Sequence, residues 1–542
     1  MGLEASKKGL FVQQSALYTT GHNISNANTE GYTRQRVNMQ ATPGFPHPGL
    51  NSPQYPGHMG TGVEAHSIQR MRDEFTDRQF RQETGKLGYW DSTLKSINQM
   101  EDILNEPSEF GINQAFTEFW KAFQDLSAQP TDSAARKVAV ARAESLAEAF
   151  NYNYTQLETI QGNLGNEIAV STQQINTILE KIALINDQVK TLEPNGYVTN
   201  DLYDARDLLV DKLNEYIPVS IERIPSGGLA SEVAEGSLKI TYQGKVLVEG
   251  KYHGEIAVND SQDPPKQIDG AIDGGAYSPF GGLTITTAKP LNSEGTVKSG
   301  AEYENTSPPI TYETLYNSHG GRGQLLALID SYGHAPHNGT SGLYPDMMAE
   351  LNKVAETFVQ VFNAAHAQGF PLDPATKIND FFKPTGTPAA KTMGVNGDIV
   401  SNPNSIAASS REKEEGNGRW ALELSNLQFA NIRPGVTITV PGATNSITIN
   451  GDLGGFTFQD FYTGIIGDLA VMGDKAITNQ FNSQTQMITV SNQRASMNSV
   501  SLDEEMTNMI TFQQAYNANA RMITVVDETL DKIINGMGRV GL

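Results

Sequence analysis

Residues 502–535 read LDEEMTNMITFQQAYNANARMITVVDETLDKIIN, and their spacing decides the fold class. Leu502, Met509, Tyr516, Ile523 and Leu530 recur every seven residues, with Phe512, Val526 and Ile533 each three residues beyond a stripe partner. That period predicts a helix of coiled-coil type. Ser501 with Glu504 three residues later forms a capping box, and Asp503 and Glu505 place further negative charge at the positive end of the helix dipole. Lys532 and the Asn535–Gly536 pair supply the stop.

Leu3, Leu10, Leu17 and Ile24 repeat the same period at the opposite end, so two terminal helices with matching stripes are expected. Their other faces are unusual. No Asp, Glu, Lys or Arg occurs from Gly9 to Thr29, and none from Met506 to Ala520. A solvated helix alternates charges, and a membrane-surface helix carries Lys and Arg opposite its apolar stripe. Faces of Gln, Asn, Ser, Thr and Ala suit contact with other protein on several sides, where charge would have to be desolvated. Two readings stand side by side: helices built for assembly, or a plain intramolecular hairpin whose polar faces lack charge. Isolated helices of this kind are marginal, so both ends of a lone chain are expected to be mobile and protease-sensitive.

Between the ends, Leu157, Leu164, Ile168, Ile175, Ile178, Ile182, Ile185, Val189 and Leu192 step by threes and fours over most of a long helix that Pro194-Asn195-Gly196 ends. NDLYDARDLLVDKLNEYI predicts a second helix over 201–216, and further helices are expected at 112–126, 132–154, 345–368 and 461–499. Residues 219–325 carry alternating runs such as SLKITYQGKVLVEG, and 375–460 carry GVTITVPGATNSITING, which predict strands and hairpins. The expected class is multidomain α+β: a discontinuous terminal α-helical coiled-coil core plus a long-helix domain with β-rich insertions. The expected divisions are 1–35 with 500–542 as the assembly core, 36–218 with 326–374 and 461–499 as the helical domain, and insertions at 219–325 and 375–460.

The chain has 542 residues, enough for about three or four domains. Sixty-one acidic against 39 basic side chains give a net charge of −22, which repels phosphate backbones and argues against nucleic acid as a partner. With no cysteine there is no disulfide, thiolate nucleophile or iron–sulfur site. No run of apolar residues is long enough to span a bilayer, so no membrane partner is expected. Glutamines interrupt the stretch after Lys7 and Lys8, so it does not read as a signal peptide.

Motifs for catalysis are weak. GTGVEA at Gly60 lacks the preceding strand that a dinucleotide turn needs, and GxxxxGK[ST], HExxH and GxSxG do not occur. His334 and His337, with Asp330 nearby, read as an exposed loop rather than a metal site. Asp201, Asp204 and Asp207 share one helical face and read, beside Arg206, as solvated charge complementing the dipole. No catalytic residue, metal ligand or cofactor is assigned, and the chain is expected not to be an enzyme.

HNISNANTEGYTRQ, residues 22–35, resembles the N-terminal signature of the bacterial flagellar axial proteins, the rod, hook and hook-associated proteins, and residues 502–535 resemble their C-terminal signature. GTGVEAHSIQRMRDEF, the 201–218 segment and YPDMMAELNKVAETFVQVFNAAHAQGF are similar to the hook-associated members. The signature positions are Asn23, Asn26, Asn28, Gly31, Tyr32 and Arg34, then Gln513, Gln514, Ala515, Asn519 and Arg521. Asn and Gly tolerate left-handed backbone, so SNANTEG by itself suits a helix stop that redirects the chain. The resemblance implies a structural protein of the extracellular flagellum at the hook–filament junction, needed for filament growth and forming a ring of its own copies. It further implies hook protein and the next hook-associated protein as partners, a cytoplasmic chaperone on the C-terminal helix, and flagellar type III export. Relatives of this kind carry several residues ahead of the counterpart of Gly2-Leu3-Glu4, so an export stretch before Met1 is expected. Two rivals remain: a hook or rod protein, which is expected to lack the 201–218 and 345–370 segments, and a secreted hydrolase with coiled-coil ends.

Overall fold

The computed structural model describes residues 2–45, 60–104, 111–262, 264–268, 277–287, 304–305, 309–317, 321–335, 340–439, 446–448 and 451–536. His337, the turn of the 435–451 hairpin and residues 537–542 of the expected core lie outside the described residues.

Helix α1 (Gly2–Ser25) leads through an Asn-rich turn into an antiparallel pair, β1 (Gln35–Ala41) and β2 (Val63–Arg70). Helix α2 (Glu74–Ile103) follows, its first amides capped by the Asp73 carboxylate, which accepts from the N–H groups of Phe75 and Thr76. Sequence pattern misses this helix because Gly85 and Gly88 interrupt it. Both glycines serve packing: a Cβ on Gly88 would come within 2.8 Å of the Glu215 carbonyl.

Helix α3 (Ile112–Ala128) precedes α4 (Ser133–Leu192), a single rod of 60 residues and roughly 90 Å. The break expected after residue 154 is absent, since NYNYTQ holds no Pro or Gly and Phe150, Asn153 and Leu157 continue one buried face. Leu164, Ile168, Ile175, Ile182 and Val189 extend that face. Gly196, at φ +86, ends the rod as its sequence predicts.

Helix α5 (Asn200–Tyr216) then feeds the strands β3 (Ser220–Ile224), β4 (Ser237–Tyr242), β5 (Lys245–Glu249), β6 (Tyr252–His253), β7 (Glu255–Asp260), β8 (Phe280–Thr287) and β9 (Glu304–Asn305). They form one sheet in the order β3-β4-β5-β6 and another in the order β7-β8-β9, with antiparallel neighbours throughout. Ile240 faces Ile221 on one side and Val248 on the other, and Ile256 faces Ile285. These apolar pairs seat both sheets on α4.

Helices α6 (Tyr312–Tyr316), α7 (Gln324–Tyr332) and α8 (Leu343–Gln368) return the chain to the rod. Between 375 and 460, where strands and hairpins were expected, most of the named elements are short helices joined by irregular chain: α9 (Ala389–Thr392), α10 (Gly397–Ser401) and α11 (Arg419–Asn426). The hairpin expected over 435–451 does form, β10 (Thr437–Thr439) pairing antiparallel with β11 (Ser446–Thr448), and among the described residues no other named strands lie there. The reason lies in packing. Trp420, Ala421 and Leu424 bury one face of α11, and the Trp420 indole N–H donates to the Ala365 carbonyl. Phe116, Phe119, Trp120, Phe123, Phe358 and Phe362 make a continuous aromatic core beside it. Helices α12 (Phe458–Asn498) and α13 (Leu502–Asp531) close the chain, α12 against α2 and α13 against α1.

Candidate assembly interface

Helices α1 and α13 pair antiparallel. Gly9 faces Asn519, and fourteen residues on in one helix and back in the other, Asn23 faces Glu505. A Cβ on Gly9 would come within 2.9 Å of the Asn519 amide, so glycine is what permits this approach. The face of α1 that is buried consists of Gly9, Val12, Ala16, Thr19, Thr20 and Asn23. The expected stripe lies elsewhere: Leu3 is exposed, and Leu10, Leu17 and Ile24 are half-buried. Small side chains win this contact because they let the two backbones come close, which bulkier leucines would prevent.

On α13, Met509, Phe512, Tyr516, Ile523 and Val526 turn partly toward α1, joined by Ala515 and Asn519, and all are half-buried. Leu502, Leu530 and Ile533 are exposed, as are Gln513, Gln514 and Arg521. The one side chain that α13 buries is Glu505, at 2% exposure.

Glu505 lies at the centre of the N-terminal signature. Arg34 Nε donates to its Oε1 at 2.8 Å, Asn23 Nδ2 donates to its Oε2 at 3.1 Å, and Arg34 Nη1 reaches Glu504 at 2.7 Å. Asn23 also clamps the main chain of Gln35, accepting from its N–H at 3.0 Å and donating to its carbonyl at 2.8 Å. Tyr32 donates its hydroxyl to Asn23 Oδ1 at 2.8 Å, and His22 Nδ1 lies 2.9 Å from the same hydroxyl. Burial and the neighbouring Asp201, Asp204 and Glu505 push the Tyr32 phenol well above its usual range, so it stays a donor. Gly31 takes φ +79 beneath this group, and Asn26 caps the helix end by donating to the His22 carbonyl. Asn28 is exposed. Of the signature residues, then, Asn23, Asn26, Gly31, Tyr32 and Arg34 come together, and Asn28 stands apart. Sequence reading took Glu505 for dipole charge; its place one turn from the Ser501 cap, facing inward, follows only from the pairing with α1.

A second polar cluster fixes this end of the helix pair to the rest of the chain. Asp204, Asp207 and Asp211 of α5 are buried, contrary to the solvated charge expected for this face, while the side chain of Asp201 is mostly exposed. Arg70 donates to Asp204 at 2.7 Å and Asp207 at 2.9 Å and also pairs with Glu235. Arg72 pairs with Asp207 and Asp77, and Arg81 with Asp211 at 2.7 Å. Arg494 of α12 bridges Asp77 at 2.8 Å and Asp211 at 2.7 Å while lying over the Phe80 ring. Burial pushes the Asp207 carboxyl up, but Arg72, Arg70, Arg81 and Arg206 outweigh it and hold the group well below the usual carboxylate range. Arg206 is local to α5, but Arg70, Arg72 and Arg81 lie 126 or more residues from the α5 aspartates they meet, so no local pattern announced the cluster. Two backbone bonds complete the joint: Thr33 N–H donates to Asp204 at 3.0 Å and Arg34 N–H to the Asn498 carbonyl at 2.9 Å.

Among the described residues no three His, Asp or Glu side chains are grouped to hold a metal ion, and no helix is long and apolar enough to cross a membrane. His334 stacks on Tyr312 with ring centres 3.5 Å apart, and Tyr312 donates to Asp330 at 2.7 Å.

Residues 97–382 match the family described as Flagellar hook-associated protein FlgK helical domain, and residues 493–536 match Flagellar basal body rod FlgEFG protein C-terminal. The flagellar hook-associated protein 1 of Bacillus subtilis (strain 168) is 36% identical over 539 residues, which span 99% of this chain and 98% of that protein. Its counterpart in Escherichia coli (strain K12) is 26% identical over 580 residues, spanning 97% and 98%. The solved structure of the flagellar hook junction protein FlgK from Burkholderia pseudomallei shares the fold at a TM-score of 0.54 and 13% identity, covering 78% of this chain and 100% of that one. On the helical-domain match and on identity that runs nearly end to end, the chain belongs to the flagellar hook-associated protein 1 family.

Proposed function

We propose that this chain is a structural adaptor of the flagellar axis at the junction between hook and filament, joined to copies of itself through its terminal helices. The carrying observation is the imbalance of α13. It buries one side chain, Glu505, while Met506, Ile510, Met522 and Val525, with Ile533 and Ile534 just beyond its end, stand exposed. Phe11 and Tyr18 of α1, the latter at 76% exposure, extend the same condition to its partner. Each such side chain covered on assembly contributes about 1.5–3 kcal/mol, and the absence of charge across Met506–Ala520 leaves little to desolvate.

In this reading residues 1–35 and 500–542 form the assembly core, and the rod, sheets and short helices form the outer body. Leu3, Leu10, Leu17, Ile24, Leu502, Leu530 and Ile533 are then the positions that neighbouring subunits cover. Hook protein lies on one side of the ring and the next hook-associated protein on the other. A chaperone covers α13 before the chain leaves by the flagellar type III route. The role makes and breaks no bond, and needs no cofactor.

Replacing Ile510 and Val525 together by Asp tests the reading, since both side chains are more than half exposed in the single chain. The expected result is an unfolding free energy from urea titration changed by less than about 0.5 kcal/mol and loss of incorporation at isolated hooks. Normal filament growth from that variant would overturn the proposal.

A further inference from the structure

A groove of about 500 Å3 lies between the first turns of α8 and of α12. Its apolar lining includes Met347, Phe456, Phe461, Ile465 and Met472, with Phe456 57% exposed. Its rim is acidic: Asp346 and Glu350 stand on α8, Asp460 and Asp468 on α12, against one cation, Lys353, whose ammonium lies over the Phe461 ring. At the starts of their helices Asp346 accepts from the Gly342 N–H and Asp460 from the Thr457 hydroxyl. Glu350 and Asp468 have no ion-pair partner among the described residues.

A second observation points the same way. Gly464 lies in the groove, inside α12, where glycine weakens a helix. Packing within the chain does not require it, because a Cβ there would meet nothing within 4 Å. Gly473, further along the same helix, is different: a Cβ there would come within 2.9 Å of Glu101 on α2. A bare patch on an apolar floor admits the close approach of another backbone.

We propose that this groove docks a basic amphipathic helix of a partner protein, about three turns long, the length of α8 and α12 that lines it. Apolar anchors of that helix enter beside Gly464 and rest on Phe461 and Ile465, while its Lys or Arg side chains meet Glu350 and Asp468. The site is separate from the assembly core and does not depend on the role proposed for it.

The test uses the full chain and two fluorescent peptides of this length, one presenting a Leu face and a Lys face, the other the same pattern with Glu for Lys. Anisotropy titration is expected to show binding of the Leu/Lys peptide, weakened by salt, and none of the Leu/Glu peptide. Gly464→Leu puts a side chain over the groove floor from a Cβ that meets nothing within 4 Å, so it is expected to weaken binding about tenfold or more with a thermal midpoint no lower than the parent's. Glu350→Lys combined with Asp468→Lys is expected to do the same. Absence of binding, equal binding of the Leu/Glu peptide, or undiminished binding to Gly464→Leu would each overturn the proposal, the last by showing that the peptide adheres to the acidic surface at large.

Discussion

Glu505 holds three groups at once: the Arg34 guanidinium, the Asn23 amide and, through Asn23, the main chain of Gln35. Glu505→Gln keeps the shape and removes the charge, which is expected to cost about 2 kcal/mol because Arg34 is left half-paired near the surface. Hydrogen exchange of the first turns of α13 reads this directly; unchanged protection would sink it. His366 is a different case. It is fully buried on α8, accepts from the Ala407 N–H at 3.0 Å, and is held neutral, with burial pushing its pKa down to about 4. The unfolded imidazole takes its proton near the ordinary 6.5, so the stability present above that pH falls as pH drops toward 4, by about 3 kcal/mol at most. His366→Gln is expected to lack this slope in urea midpoints taken between pH 7 and 4, and an identical slope in both proteins would refute the assignment.

Elements in this cysteine-free chain are tied by side-chain amides. Among the described residues, Asn23 with Gln35, Asn176 with Ile256, Asn186 with Leu238 and Asn363 with Phe382 each accept the N–H and donate to the carbonyl of one residue. Each asparagine thus pairs from a helix the way a neighbouring strand would, which joins helix to strand or loop without a shared ladder. Asn186→Leu keeps the branched outline and strands the Leu238 N–H, the Gly250 carbonyl and one Arg206 contact, so a loss of about 3 kcal/mol is expected in denaturant unfolding. These ties explain what was legible. The heptads of α13 and the α4 stripe follow from periodicity, and the Ser501 cap from local chemistry; α2 was hidden by glycines whose purpose is contact with α5. In the candidate site, Asn23, Tyr32 and Arg34 were visible as a motif, whereas the buried face of α1 was not. Its Gly, Ala and Thr residues carry no hydrophobic signal, and only the antiparallel register with α13 selects them.

For the whole molecule, the decisive feature is the joint where α1, α5, α12 and α13 converge. Arg494 is its keystone on the returning strand of chain, bridging α2 and α5 through Asp77 and Asp211. Arg494→Met preserves the stacking on Phe80 and removes both ion pairs. It is expected to raise exchange at the Arg34 amide, which bonds the Asn498 carbonyl, while leaving the α4 rod protected. Equal exchange at Arg34 in both proteins would show that the joint does not need that arginine.

Because the polypeptide leaves the helix pair through residues 26–34 and re-enters it through 499–501, two adjacent strands of chain bear whatever twist is applied at one end. A rotary load on α1 and α13 would reach the rod as shear across the Arg34–Glu505 and Arg494 bonds rather than as tension along a single tether. Under such a load the stiffness between the helix pair and the rest of the chain would be set by these short charged contacts.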